Sequence, residues 1–285
     1  MTQLLALPTP GRPGPVVMGI VNVTPDSFSD GGRYADTERA VAHGRELLAA
    51  GADVLDIGGE STRPGATRPV LAEELDRVVP VINQLAADGA VISVDTMRSE
   101  VAAAAVAAGA RVVNDVSGGL ADPEILDVAA QTGAVYLGMH WRAHGSTMQS
   151  AEFTRYDGGV VAGVRRELEQ RLEAFRAAGI PDSQVVLDPG LGFAKTSEDN
   201  WVLLDGLGEL EALGFPLLVG ASRKTFLGRL LQDDDGTPRP VQGREHAGSA
   251  LTVLLAQRGV WGVRVHDVVA TQDALAVWRR VEGLA

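Results

Sequence analysis

The chain has 285 residues, of which 45% are hydrophobic, and its formal net charge is -12. This acidic balance argues against a nucleic-acid groove or an anionic membrane surface as partner, but a few focused cations can still hold a small anionic ligand. The sequence has no cysteine, which excludes disulfides, thiol catalysis and Cys-ligated metal. It has no signal-peptide pattern and no apolar run of the ~18 residues that span a membrane, so we expect a cytoplasmic protein.

Eight short apolar runs, rich in β-branched residues, predict eight buried strands. These runs are nearly continuous rather than alternating, which is typical of a parallel sheet covered on both faces. In chain order the predicted strands are Val16–Thr24, Asp53–Gly59, Val91–Thr96, the first half of Arg111–Gly119, Ala134–His140, Gln184–Asp188, Pro216–Ser222 and Gly262–Asp267.

A helix is predicted after each strand, from the helical spacing of apolar residues and from stop signals such as Gly51. Ser99 is expected to be the N-cap of the third helix. The polar segment Trp141–Tyr156 is expected to be a mobile insertion, and Asp233–Asp235 a solvated loop. The other predicted helices are Asp36–Ala50, Leu71–Ala87, Asp122–Gln131, a long helix ending at Ala178, Glu198–Leu213, Gly243–Gln257 and Ala270–Val281.

Eight strand–helix repeats in a chain of this length predict a closed TIM-type (β/α)₈ barrel rather than an open doubly wound sheet. The composition does not change along the chain as it would at a linker. We therefore expect residues 16–285 to form one barrel domain after an N-terminal extension of residues 1–15. The site of such a barrel is built at the carboxyl ends of its strands.

Polar residues stand at the carboxyl ends of all eight predicted strands. Any one of them is readily explained as a satisfied strand end or helix cap, but burying the whole set at one rim without a ligand is costly. They are Asn22, Asp56, Asp95, Asn114, Asp115, His140, Asp188, Ser222, Lys224, Arg264, His266 and Asp267.

The residue types at this rim indicate the kind of ligand. The set Asp95, Asn114 and Asp188 offers several acceptors and one amide, which suits a flat, polar heterocycle with several N–H donors. Cations from Arg63, Arg264 and His266 suit phosphate oxygens, and Ser222 and Lys224 suit a carboxylate or a ring carbonyl. The sequence has no Ser-His-Asp arrangement and no Gly-x-Gly-x-x-Gly after the first strand, which argues against a serine hydrolase or a nicotinamide enzyme.

Seven segments together resemble the dihydropteroate synthase family, over nearly the whole chain from Val16 to the last helix. The segments GGESTRPGATR and MHWR are most similar to those of actinobacterial members. The seven segments are Asn22–Gly32, Gly58–Gly65, Ser93–Arg98, Asn114–Gly118, Leu187–Lys195, Gly220–Lys224 and Arg264–Asp267.

The resemblance implies a transferase of folate biosynthesis. Its substrates would be a dihydropterin with a CH₂–diphosphate arm and 4-aminobenzoate, and its products 7,8-dihydropteroate and diphosphate. It also implies a bound Mg²⁺ and a homodimer formed through the outer helices of the barrel.

The resemblance also implies a role for each residue that matches a family motif. For the pterin these are Asp95, Asn114, Asp188 and Lys224, with Met139, Phe193 and Gly220 around the ring. For the diphosphate they are Asn22, Arg63, Arg264 and His266, and Asn22 would also bind the Mg²⁺. For the aminobenzoate they are Phe28, Thr62, Arg63, Pro64 and Ser222. The catalytic set would be Asp30, Arg63, Lys224, Arg264 and His266.

Three other functions are compatible with part of this pattern. A non-catalytic pterin-binding paralogue would be expected to have lost loop residues that this chain keeps. A pterin-dependent methyltransferase barrel would have no use for the cations at Arg63, Arg264 and His266. A general phosphate-binding barrel would not need Asp95 and Asn114 together with Asp188.

Overall fold

The computed structural model describes residues 12–23, 32–60, 69–144 and 147–284, and of residues 32–35 the backbone alone. Its centre is one sheet of eight parallel strands in the order β6-β5-β4-β3-β2-β1-β8-β7. The strands are β1 (Val16–Asn22), β2 (Val54–Gly58), β3 (Ile92–Asp95), β4 (Val112–Asp115), β5 (Val135–Met139), β6 (Val185–Asp188), β7 (Leu218–Val219) and β8 (Gly262–Val265).

The two ends of the sheet, β6 and β7, meet and nearly close the barrel. A parallel bridge joins Leu187 to Leu217, and the Leu187 N–H donates to the Pro216 carbonyl at 2.9 Å. The prediction of a TIM-type barrel is therefore confirmed.

Alternation along each strand divides the side chains into two sets, because successive residues of a strand point to opposite faces. In β4, Val112 faces the barrel interior and packs on Val135, whereas Val113 faces the helices. The lower half of the barrel is filled by one apolar cluster, the barrel plug, which consists of Val16, Met18, Val54, Val112, Val135, Leu137, Val186 and Leu218. The inward positions above the plug are mostly polar, and the functional site lies there.

The helices surround this barrel and cover its outer face. They are α1 (Gly32–Ala49), α2 (Leu71–Ala87), α3 (Ser99–Ala107), α4 (Glu124–Thr132), α5 (Ala151–Thr154), α6 (Val160–Ala177), α7 (Ser197–Asp205), α8 (Leu207–Glu211), α9 (Thr225–Leu230), α10 (Glu245–Arg258) and α11 (Val268–Val281). Among the described residues, none of the helices combines the length and the apolar character needed to cross a membrane.

Two helix predictions differ from the structure. Ser99 is the first residue of α3 and not its N-cap; the cap position is Arg98, and the Asp122 carboxylate accepts the Ser99 N–H at 2.7 Å. A distant loop thus supplies the acceptor that the sequence suggested Ser99 itself would provide. The helix predicted over Glu198–Leu213 is divided at Gly206 into α7 and α8.

Candidate active site

A network of four polar side chains lies above the barrel plug. Arg264 of β8 donates through Nε to Asp56 of β2 at 2.6 Å and through Nη2 to Asp95 of β3 at 2.7 Å. Asn114 of β4 donates through Nδ2 to the same Asp56 oxygen at 2.9 Å. All four side chains occupy inward positions, which explains why residues from four strands meet.

Burial and charge act against each other in this network. Burial raises the pKa of Asp95 to about 7, with Arg264 opposing the shift and Asp56 adding to it. The Arg264 pKa rises above its usual range although burial lowers it, because Asp56 and Asp95 favour the charged form. The guanidinium is therefore fixed as a cation at the bottom of the mouth.

Two buried polar atoms of this layer have no hydrogen-bond partner among the described residues: Asp56 Oδ1 and Ser93 Oγ. Asp56 and Ser93 are neighbours in the register between β2 and β3. An unpaired buried acceptor is costly, so a polar ligand or a bound water that pairs with these atoms would stabilise the layer. Asp56 is present among the predicted strand ends, but its motif suggested no role for it. Only the register reveals that it joins Arg264 to Asn114.

Asp188 and Lys224 form the opposite side of the mouth. Asp188 Oδ1 accepts the Gly190 N–H at 2.6 Å, and burial raises the pKa of Asp188 against the opposing charge of Lys224. Burial lowers the pKa of Lys224 to about 8 while Asp188 raises it. Lys224 donates to the Leu191 carbonyl. Gly220 leaves the space beside Asp188 without a side chain: a β-carbon there would lie 3.7 Å from Asp188 Oδ2 and 3.8 Å from Arg264 Cβ.

An apolar wall stands beside these polar groups. Met139 packs in one buried cluster with Met97 and Val116, and the half-buried Phe193 packs against it. The Lys224 ammonium nitrogen lies 4.2 Å from the centre of the Phe193 ring. A flat space with acceptors at its edges and an apolar wall suits a heteroaromatic ring. Sequence reasoning identified Met139 and Phe193 but missed Met97 and Val116, which follow β3 and β4.

The rim next to β8 carries donors for an anion. The Ser222 hydroxyl accepts the His266 backbone N–H at 3.2 Å and lies 3.0 Å from His266 Nδ1. Which of the Ser222 hydroxyl and His266 Nδ1 donates in the second contact depends on the tautomer of the imidazole ring. Arg264, one inward position below His266, uses Nε and Nη2 on the two carboxylates, which leaves Nη1 as a further donor. The half-buried Asn22 ends β1 at the same rim.

Three residues predicted at the rim lie elsewhere. Asp115 is directed away from the mouth and accepts bonds from Tyr136 Oη at 2.8 Å, from Ser117 and from the Gly119 N–H. Asp267 caps α11 by accepting the Ala270 N–H at 2.9 Å. His140 lies behind the strand ends, bonded to Lys195.

Five of the predicted site residues lie outside the described part of the chain. They belong to the segments that follow β1 and β2, and they are Phe28, Asp30, Thr62, Arg63 and Pro64.

The barrel, the ring of acceptors and the apolar wall define a class of enzyme that binds a pterin-like heterocycle. In agreement, the family model described as "Pterin binding enzyme" matches residues 18–266. The dihydropteroate synthase of Mycobacterium leprae is 52% identical over 261 residues, covering 92% of this chain and 91% of that protein. The chain belongs to the dihydropteroate synthase family, whose members are transferases.

Two solved structures have the same fold. Dihydropteroate synthase from Xanthomonas albilineans with 4-aminobenzoic acid superposes with a TM-score of 0.85 at 47% identity, covering 96% of this chain and 95% of that one. The same organism's enzyme in complex with 7,8-dihydropteroate gives a TM-score of 0.82 at 45% identity, covering 97% and 96%.

Proposed function

We propose that this chain condenses (7,8-dihydropterin-6-yl)methyl diphosphate with 4-aminobenzoate, giving 7,8-dihydropteroate and diphosphate. The observation that carries the proposal is the ring of acceptors formed by Asp95, Asn114 and Asp188 beside the wall of Met139 and Phe193. The related structures that hold 4-aminobenzoic acid and 7,8-dihydropteroate support the choice of second substrate and product.

The pterin would lie on the floor of the mouth. Asp188 and Asn114 would accept and donate at its amino group and ring nitrogens, and Asp95 at another ring N–H. Lys224 would donate to the ring carbonyl or to N5. The open space at Gly220 would let the ring edge approach Asp188, while Met139 and Phe193 would enclose its faces.

The diphosphate arm would lie under the β8 rim. A guanidinium has five N–H donors, and Arg264 uses two of its nitrogens on Asp56 and Asp95. The remaining donors and the His266 ring would hold phosphate oxygens, together with Arg63. Such charge-assisted bonds would stabilise the negative charge that develops on the leaving group.

Magnesium fits the donors that the chain offers. The described residues contain no cluster of three or more His, Cys, Asp or Glu side chains that would enclose a metal. Mg²⁺ keeps several waters and is often held by few protein ligands plus substrate phosphates. The Asn22 carbonyl oxygen would supply the protein ligand beside the diphosphate, and the ion would add positive charge there.

The bond between the CH₂ carbon and the diphosphate oxygen would break first, and its electron pair would leave with the diphosphate. The electron-rich dihydropterin would stabilise the cation at that carbon. The aryl amine, which is neutral at pH 7, would then attack the carbon and lose a proton to solvent. Asp30 would stabilise the cation or orient the amine.

The aminobenzoate would be held between two loops and the rim. Phe28, Thr62, Arg63 and Pro64 would contact it from the loops. The Ser222 hydroxyl at the rim would donate to its carboxylate.

Diphosphate release tests this function directly. Purified protein with the dihydropterin diphosphate and Mg²⁺ should release diphosphate in step with dihydropteroate when 4-aminobenzoate is present. Asp188→Ala and Lys224→Ala should abolish product. Pterin binding without product in any condition would instead mean a non-catalytic binding protein. If a single turnover required aminobenzoate absolutely for diphosphate release, the dissociative order would be wrong.

We also propose a homodimer formed through the outer helices. Val277 and Val281 lie four residues apart on one face of α11, and both are exposed, as are Leu254 of α10 and Val269 of α11. Isolated exposed apolar residues are ordinary, but four of them on two helices that pack together suit self-association. Sedimentation analysis should give a dimer for the parent chain and a monomer for Val277→Asp.

A further inference from the structure

Lys195 is buried in a way that its motif does not explain. Lys195 and Lys224 are the two lysines among the 25 basic residues of the chain. Lys195 is 2% exposed, and its ammonium nitrogen donates to the Gly190 carbonyl at 2.9 Å, to the Phe193 carbonyl at 3.0 Å and to His140 Nδ1 at 2.9 Å. An ammonium group has three N–H donors, and all three are used.

The partners of Lys195 continue into a second row of charges behind the mouth. Because His140 Nδ1 accepts from Lys195, its proton lies on Nε2, which donates to Glu167 of α6 at 2.9 Å. Burial and the charge of Lys195 lower the His140 pKa to about 3, so the ring stays neutral. The Glu167 carboxylate also accepts from Arg142 Nε at 2.8 Å.

Residues near both ends of the predicted insertion, Arg142 and Phe153–Tyr156, take part in this row. Arg142 donates to the carbonyls of Phe153 and Arg155, each at 2.8 Å, and its guanidinium lies over the Tyr156 ring. Tyr156 Oη donates to the Ala194 carbonyl at 2.9 Å. This hydrogen bond holds Ala194, the residue immediately before Lys195, in place.

The turn that ends at Lys195 does not hold its shape unaided. Ala194 has φ +49°, in the left-handed region that non-glycine residues rarely adopt at a cost of ~1 kcal/mol. At Gly190, with φ +68°, a β-carbon would lie 2.3 Å from the His140 carbonyl oxygen. This strained, closely packed course depends on the anchors that surround it.

We propose that Lys195 is the positioning residue of the segment Pro189–Lys195, held from behind by His140, Glu167 and Arg142. This segment delivers three contacts to the mouth: the Gly190 N–H on Asp188, the Leu191 carbonyl on Lys224 and the Phe193 ring. Lys195 touches none of the reacting atoms and acts through these contacts. This inference adds a positioning residue to the proposed function, and it takes the identity of the substrate, a pterin, from that proposed function.

The grip of Lys195 depends on its proton. Burial and the charges of Lys224 and Arg142 lower the pKa of Lys195 to about 7, while Asp188 and Glu167 oppose the shift. A neutral amine has two N–H donors and leaves one of the three acceptors unsatisfied. The segment is therefore held most firmly below pH 7 and less firmly above it.

Lys195→Met tests the proposal, because methionine fills the same space without donors. The variant's affinity for 6-hydroxymethyl-7,8-dihydropterin at pH 6.5 should be at least 10-fold lower than that of the parent chain. KM for the pterin substrate should rise, whereas KM for aminobenzoate should stay within 2-fold. In the parent chain, pterin affinity should weaken between pH 6.5 and 7.5 as Lys195 loses its proton. The Lys195→Met variant should not show this weakening. The matched control is Arg176→Met, which removes an exposed cation of α6 paired with Asp182.

Glu167→Gln is the second variant, in case Lys195→Met does not fold. It keeps the shape of the side chain but weakens the acceptor for His140 and Arg142, and it should reduce pterin affinity several-fold. Selective labelling of lysine side chains with ¹³C would give two NMR signals, one of which should titrate near pH 7 and vanish in Lys195→Met. A parent-like pterin affinity and pH profile in both variants would overturn the proposal. A parent chain that binds no pterin would instead overturn the proposed function.

Discussion

Arg264 and Asp95 are joined across the mouth by a bond of 2.7 Å, although β1 and β2 lie between their strands in the sheet. The contact is possible because both side chains are inward and the barrel curves them toward one another. Asp95 also has a pKa of about 7, so its charge at neutral pH depends on the guanidinium beside it. Substituting either residue therefore changes the electrostatic environment of the other.

Arg264→Ala should destabilise the protein, and more so at high pH. It leaves two buried carboxylates, Asp56 and Asp95, without their cation, which costs about 3 kcal/mol when both are charged. At low pH the Asp95 carboxyl is protonated, so removing the cation lowers the free energy of unfolding by less. Urea unfolding should therefore show a larger loss of stability at pH 8 than at pH 5. A loss that is equal at both pH values would contradict this account of the pair.

Asp188→Asn should weaken pterin binding about 100-fold, because an amide replaces two acceptor positions of a buried carboxylate by one and leaves substrate donors unpaired. Burial raises the Asp188 pKa, so pterin affinity of the parent chain should fall as pH is lowered and the carboxylate is protonated. The variant should lose this dependence. Calorimetric titration at several pH values measures both effects, with the exposed Asp182→Asn as control. Affinity within 3-fold of the parent would remove Asp188 from the pterin site.

Gly220→Ala should leave the fold intact and impair the pterin site. The nearest atoms to the new methyl group would be Asp188 Oδ2 at 3.7 Å and Arg264 Cβ at 3.8 Å, which are ordinary contacts. The methyl group would nevertheless project beside Asp188, where the pterin is proposed to lie. We expect an unchanged melting temperature and at least 10-fold weaker pterin binding.

Gly190→Ala is the contrasting substitution. Its β-carbon would lie 2.3 Å from a backbone oxygen, so the chain itself must move. This variant should melt several degrees lower. Equal stability of the two variants would mean that the close approach at Gly190 is readily relieved.

Tyr136→Phe should lower stability without lowering kcat. The Tyr136 hydroxyl is one of the donors that satisfy the buried Asp115 carboxylate, and bonds to charged groups contribute about 1.5–3 kcal/mol. The pair lies on the helix side of β4, away from the mouth. Thermal unfolding should therefore show a lower melting temperature, while steady-state kinetics show an unchanged kcat. A large fall in kcat at unchanged stability would place Asp115 in the site after all.

The barrel was predictable from the sequence because each buried strand of a parallel sheet is a continuous apolar run ended by polar residues. Which of two adjacent polar residues faces the mouth was not. Asn114 and Asp115 are neighbours in β4, and one points inward while the other points outward. The choice is fixed by pairing register, since a shift of one residue exchanges the two faces.

Long-range partners were also beyond the sequence. Asp56 and Arg264 are separated by 208 residues, and Lys195 and His140 by 55, so no local pattern signals either contact. The motifs drew attention to residues such as Asp188 and Arg264, whereas the contacts that Asp56 and Lys195 make with them or with their neighbours had no signal in the sequence. The same reason explains Ser99, whose helix is capped by Asp122 from the next connection.

The barrel plug closes the lower end of the mouth. In the part of the chain that the structure describes, the plug fills the opposite end of the barrel, so both proposed substrates and both products would share a single opening. A pterin on the floor beside Asp188 would be covered once aminobenzoate occupied the rim above it. Under the proposed function, the packing beneath the site would therefore require the pterin to bind before the aminobenzoate.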